Sequence, residues 1–177
     1  MRSQPKRDEL SRTAPSAVLF SLRLLALAAA VSLGGCGPEA DSRKASPGAV
    51  GTLTLVTETG RHPISIEVAD TDEKKQIGLM FRTELADAHG MLFPYDRPHE
   101  ITMWMKNTYI SLDMVFIGGD GTVVRVARRT EPHSEDIVSS QGPALGVLEL
   151  KAGAADHYAI VAGKSRIEHP HFTARTQ

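Results

Sequence analysis

The 177-residue chain carries 41% hydrophobic and 23% charged residues at a formal net charge of −1. That is enough apolar material for one packed domain, and too even a charge balance for a nucleic-acid-binding arm or an acidic solvating tail. Aromatic residues are only 5% of the chain, so large stacking platforms for bases or sugar chains are not abundant, and with Cys36 as its one cysteine an internal disulfide is excluded.

The first segment reads as an address. Arg2, Lys6, Arg7, Arg12 and Arg23 outnumber Asp8 and Glu9, and LLALAAAVSL follows at residues 24–33. A run of ten residues is too short to span a hydrocarbon core of about 30 Å. A basic stretch, a short apolar run and small residues describe a secretory signal. The run ends LGGC at residues 33–36, which resembles the lipobox of bacterial lipoproteins. That resemblance implies a signal over 1–35 and a diacylglyceryl group on the Cys36 sulfur, with Cys36 as the mature N-terminus. Gly37 follows in place of Asp, which by the same resemblance implies the outer membrane. Several acyl chains hold a protein stably where one does not. Residues 36–51, rich in Gly, Pro, Ala and Ser, read as a flexible tether. The folded domain is expected over 52–169, with a tail at 170–177.

TLTLV at 52–56 and HPISIEVA at 62–69 alternate polar and apolar residues as half-buried strands do, with a hairpin turn at Gly60-Arg61. Asp70 and Glu73 have capping-box spacing. Ile77, Met80 and Phe81 share a helical face, which predicts a helix over 71–82. Gly78 weakens that helix and marks a close approach. GMLF at 90–93 is a short apolar run, and PYDRPH, with two prolines, reads as a loop. EITMWMKN at 100–107, LDMVFI at 112–117 and TVVRVAR at 122–128 read as strands, the last two joined by the turn GGDG. Residues 130–144 read as a long loop. LGVLELK, HYAIVAG and SRIEH supply the last strands, with one helical turn near 152–156. The sum is a mainly β domain: an antiparallel sandwich or barrel with one short helix packed on it.

GLMFR at 78–82, GMLF at 90–93, MWMKNT at 103–108, LDMVFI at 112–117 and VLEL-AG across 147–153 together resemble the bacterial and archaeal family of domain of unknown function 192. The resemblance covers about residues 53–168. It implies a small β-sandwich and frequent signal peptides, and it supplies no reaction. Met103 departs from the pattern, which favours an aromatic before Trp104.

MWMKNT holds the chain's one tryptophan, Trp104, and its one asparagine, Asn107. On a regular strand Met103, Met105 and Asn107 share a face, and Trp104, Lys106 and Thr108 share the other. Arg82, Trp104, Lys106, Asn107, Thr108, Asp113 and Glu149 form the candidate ligand-binding set. An aromatic wall beside an ammonium, an amide and carboxylates suits a small polar or anionic ligand, a glycan or a partner protein. The bland counterpart is two structural ion pairs, Lys106–Asp113 and Arg82–Glu149, with methionines filling the core. A second reading is Cu(I) handling by Met103, Met105 and Trp104. A third is a hydrolase-type enzyme using Lys106, Asp113 and Glu149. The favoured reading is a non-catalytic envelope module. No catalytic residue, resident metal or cofactor is implied, and no nucleic acid; the partners are the membrane, through Cys36, and an unidentified ligand or protein. No GxSxG, CxxC or HExxH occurs. Gly163-Lys164-Ser165 ends like a phosphate loop, but Tyr158 stands where its first glycine belongs.

Overall fold

The computed structural model describes residues 49–173. The signal, Cys36 and most of the tether lie outside them. Strand β1 (Ala49–Thr57) folds back on β2 (Gly60–Val68) in antiparallel register, from Thr57 opposite Gly60 to Ala49 opposite Val68. The hairpin is tighter than expected, and the end of the tether is drawn into β1. Leu53, Leu55, Ile64 and Ile66 point inward and are buried, as their alternation requires.

Helix α1 (Asp72–Ile77) is half the predicted length. Thr71, not Asp70, caps it, its hydroxyl accepting the Lys74 N–H at 3.2 Å. The chain leaves the helix at Gly78, where φ is +48°. A side chain there would meet the Phe93 ring at 3.2 Å, which is the close approach the glycine signalled.

Strand β3 (His89–Met103) runs straight through the predicted PYDRPH loop. Its first residues pair with β2 in parallel, Ser65 to His89 through Val68 to Leu92; beyond that only the β6 side is paired, and the register shifts between Pro94 and His99. Prolines are tolerated at an unpaired edge or a bulge, which explains how Pro94 and Pro98 sit in a strand. Strands β4 (Leu112–Ile117) and β5 (Val123–Ala127) form the expected hairpin. Strand β6 (Val138–Lys151) begins inside the predicted 130–144 loop and pairs with both β3 and β4. HYAIVAG is not a strand: it is split between α2 (Ala154–His157) and turns. Strand β7 (Arg166–Glu168) pairs with β1, and α3 (Pro170–Thr173) orders the start of the expected tail.

The seven strands make one mixed sheet, β5-β4-β6-β3-β2-β1-β7, with a single parallel pair, β2–β3, that the reading as wholly antiparallel missed. The sheet curls until its edges meet. Val123 N–H donates to Ser165 O at 2.9 Å and Ile167 N–H to Gly121 O at 2.8 Å. A Cβ at Gly121 would stand 2.5 Å from Ile167 O, so this seam needs glycine. The result is the barrel-like, mainly β fold expected, and closing the edges removes a template for aggregation.

All seven strands contribute to the interior, which includes Leu53, Ile66, Leu92, Val115, Leu148 and Ile167. A second core lies on the opposite face of β3, β4 and β6, where Met91, Phe93, Met105, Met114, Phe116 and Val147 are covered by Leu79 and Leu85. Phe172 is fully buried in the interior, and His171 Nε2 lies 3.1 Å from Tyr95 O, so the His169–His171 segment is part of the fold. Phe172→Ala is therefore expected to destabilise the domain by about 3–5 kcal/mol in urea unfolding; a frayed tail would show no change.

Candidate functional site

The MWMKNT stretch is not one strand. β3 ends at Met103, and residues 104–107 turn, with Asn107 in the left-handed region at φ +55°. Period-two alternation therefore stops before Trp104. Met105 is buried, and its sulfur accepts the Thr130 hydroxyl at 3.1 Å. Trp104 turns outward, 44% exposed. Copper handling by Met103, Met105 and Trp104 loses its geometry here, because the buried sulfur has a partner and the indole faces water.

Neither expected ion pair forms. Lys106 Nζ lies 5.1 Å above the Trp104 ring and 3.4 Å from Glu135, not at Asp113. Arg82 pairs with Glu67 at 2.6 Å, not with Glu149. Asp113 is buried with both oxygens engaged: Oδ1 accepts Arg129 N–H at 2.7 Å, and Oδ2 accepts Gly153 N–H at 2.9 Å and Ala155 N–H at 2.8 Å. It ties the exits of β5 and β6 to β4. Thr108 is buried; its N–H donates to Met105 O and its carbonyl accepts the His133 N–H. Lys106, Asp113 and Glu149 do not converge on a reaction centre. Asp113 opposes Leu150 and Glu149 opposes Met114, so the two carboxylates lie on opposite faces of the sheet.

Glu149 is 4% exposed, and burial pushes its carboxyl up to about 8; burial and then this neighbouring carboxyl raise the Tyr95 phenol. The cross-strand neighbours of Glu149 are Met91 on β3 and Met114 on β4, and Met91 in turn opposes Glu67.

The sequence reading missed Phe81, Tyr109 and His133. Phe81 is 60% and Tyr109 47% exposed. Their rings meet edge-to-face at 6.1 Å, and Tyr109 meets His133 at 5.1 Å. Phe81 and His133 both have φ of +62°, uncommon for residues of their size. Three backbone bonds lock the loops that carry them: Phe81 N–H to Asn107 O, His133 N–H to Thr108 O, and Met105 N–H to Ser134 O. Phe81, expected on a helical face, is released to solvent because α1 ends at Gly78.

Beside this lip opens a cleft of about 1090 Å³, lined by Glu67, Arg82, Asp87, His89, Ser111 and Lys151 among others. The segments that carry Phe81 and Tyr109 continue directly into its wall at Arg82 and Ile110. Both of its cations are paired, Arg82 with Glu67 and Lys151 with Asp87 at 2.9 Å, which holds the Asp87 carboxyl below its usual range, and Glu84 adds a further acid to the wall. Of the expected site residues, Arg82 lines the cleft, while Trp104, Lys106 and Asn107 belong to the loop cluster at its lip. Thr108 and Asp113 brace the loops, and Glu149 is nearly buried on the face of the second core.

Across residues 54–168 the sequence matches the family model described as "Uncharacterized ACR", domain of unknown function 192. No curated protein matches it. A crystal structure from Sinorhizobium meliloti 1021, provisionally described as a transcription regulator, is 38% identical with a TM-score of 0.68, over 71% of this chain and 98% of its own. Another, a protein of unknown function from Novosphingobium aromaticivorans DSM 12444, is 34% identical with a TM-score of 0.66, over 75% of this chain and 99% of its own.

Glu149 gives a signed pH dependence. An unfolded glutamate titrates near 4.5 and the folded one near 8. Below the lower value both states hold the proton and stability is greatest. Between the two, stability falls by at most about 1.4 kcal/mol per pH unit, and it levels off above the higher value. Glu149→Gln is expected to flatten that slope in urea midpoints taken at about pH 5 and about pH 8; a variant keeping the parent's slope would place the titration elsewhere.

Proposed function

This chain belongs to the domain-of-unknown-function 192 family, and from that premise we propose that it is a non-catalytic binding module of the cell envelope that takes a glycan in its cleft. The observation that carries the reading is the exposed Phe81–Tyr109–His133 ring cluster, held by left-handed backbone at the lip of a large polar cleft. Backbone strain persists only where the surroundings hold it, and it concentrates at binding sites. Exposed aromatic faces stack on the apolar faces of sugar rings, and polar walls meet their hydroxyls. The two cations of the cleft are each paired with an acid and Glu84 adds one further acid, which favours a neutral, hydroxyl-rich ligand over an anion. Acid–base chemistry is disfavoured because both lysines and most carboxylates near the site are paired or held by backbone amides, and Glu149 lies on a different face from Asp113. A regulator's role on DNA finds no support in a net charge of −1.

Export and anchoring rest on the sequence of residues 1–36, and they place the module where envelope glycans are. The full-length protein is expected to partition with membranes and incorporate labelled acyl chains, and Cys36→Ser to release it; unchanged partitioning of that variant would remove the anchor.

For the cleft, calorimetric titration with N-acetylglucosamine oligosaccharides is expected to give saturable binding. Tyr109→Ala and Arg82→Ala should each weaken it about 10-fold or more, the loss of a stacking or hydrogen-bonding partner being worth about 1–3 kcal/mol. Their melting temperatures should stay near that of the parent. Binding that both variants leave intact would contradict the site.

A further inference from the structure

We infer that Met91, Glu149 and Met114 form a binding site for a soft monovalent cation of the Cu(I) type. The three sit in one cross-strand row: Met91 on β3 opposes Glu149 on β6, which opposes Met114 on β4. Both pairings are antiparallel, so all three side chains leave the same face, with neighbouring Cβ atoms about 5 Å apart. A thioether therefore stands on each side of one carboxylate. Glu149 is 4% exposed, Met91 6% and Met114 0%. No described residue donates a hydrogen bond to this nearly buried carboxylate, and its oxygens are not among the atoms sealed without a partner, so they keep a small contact with solvent.

The surroundings choose the kind of cation. Calcium and magnesium require several more oxygen ligands. Among the described residues no group of three His, Cys, Asp or Glu gathers for a zinc-type site. Thioethers are soft ligands that suit Cu(I). A single positive charge on a single carboxylate leaves this apolar face of Phe93, Val147 and Phe116 electrically neutral. Met105 is not part of the site, since its sulfur already accepts the Thr130 hydroxyl. Access runs from the α1 side: Met91 lines a cavity of about 260 Å³ with Thr71, Lys74, Ile77 and Gly78. Its access cavity shares the Glu67–Arg82 pair with the glycan cleft, and its ligands differ from the Met103–Met105 grouping expected from sequence. The ion binds already reduced, and no electron is transferred.

The test is an anaerobic titration of the full-length chain carrying Cys36→Ser, which removes the thiol that would itself take Cu(I), in competition with a chromophoric Cu(I) chelator. One Cu(I) per chain is expected, with sulfur ligands in X-ray absorption. Met91→Leu with Met114→Leu keeps core volume and is expected to lower affinity at least 100-fold, and Glu149→Gln about 10-fold. If the double variant does not fold by near-ultraviolet dichroism, Met91→Leu alone, at the cavity wall, is read instead with an expected loss of about 10-fold. Parent protein that cannot compete for Cu(I), or folded leucine variants that bind as tightly as the parent, would overturn the assignment.

Discussion

The Asp113 carboxylate is the constraint on which the site depends. It lies on a wholly buried strand and accepts backbone N–H groups from Arg129, Gly153 and Ala155. Those three amides begin the segments that leave β5 and β6. One leads to His133 at the aromatic lip, and the other continues from Lys151 and Ala152 of the cleft wall. A charge in the interior is tolerable only with such complete hydrogen bonding. Removing it would leave three amides without an acceptor and free both loops together, so the geometry of the lip and the stability of the barrel are coupled through one side chain.

The neighbouring carboxylate makes the opposite case. Glu149 sits almost beside Asp113 across the β4–β6 pairing, but on the other face, with sulfur and carbon around it and no donor. Two acids on adjacent strands thus meet different surroundings, one accepting three backbone amides and one pushed up by burial. The difference arises from the pleat: a one-residue offset decides which face receives each side chain.

Much of this was legible from sequence, and the misses have physical causes. The β1–β2 and β4–β5 hairpins follow from alternation and turn residues, and VLEL, LDMVFI and GMLF lie where buried strands belong. Two prolines concealed the length of β3, because a strand edge left unpaired tolerates them. Pro132 and Pro143 concealed the start of β6 in the same way. HYAIVAG reads as a strand by composition, yet a helical turn and left-handed Ala159 break it. MWMKNT misled most, since extending the strand through Trp104 assigned faces that the turn at Asn107 abolishes. The partners of the candidate residues were not legible: Lys106 with Glu135, Arg82 with Glu67, Asp113 with backbone amides. Distances between loops are not written in local sequence, so the Phe81–Tyr109–His133 lip was invisible there.

The central claim is that the cleft and its lip are one binding surface. The most direct measurement is a backbone and indole NMR map of the folded protein titrated with a short N-acetylglucosamine oligomer. The account expects the largest shifts at Phe81, Arg82, Tyr109, Ser111 and His133, with the Trp104 indole moving at the periphery and Asp113 reporting no change in the barrel. Shifts confined to the sheet edges or scattered over the surface, or none at millimolar oligomer, would contradict it.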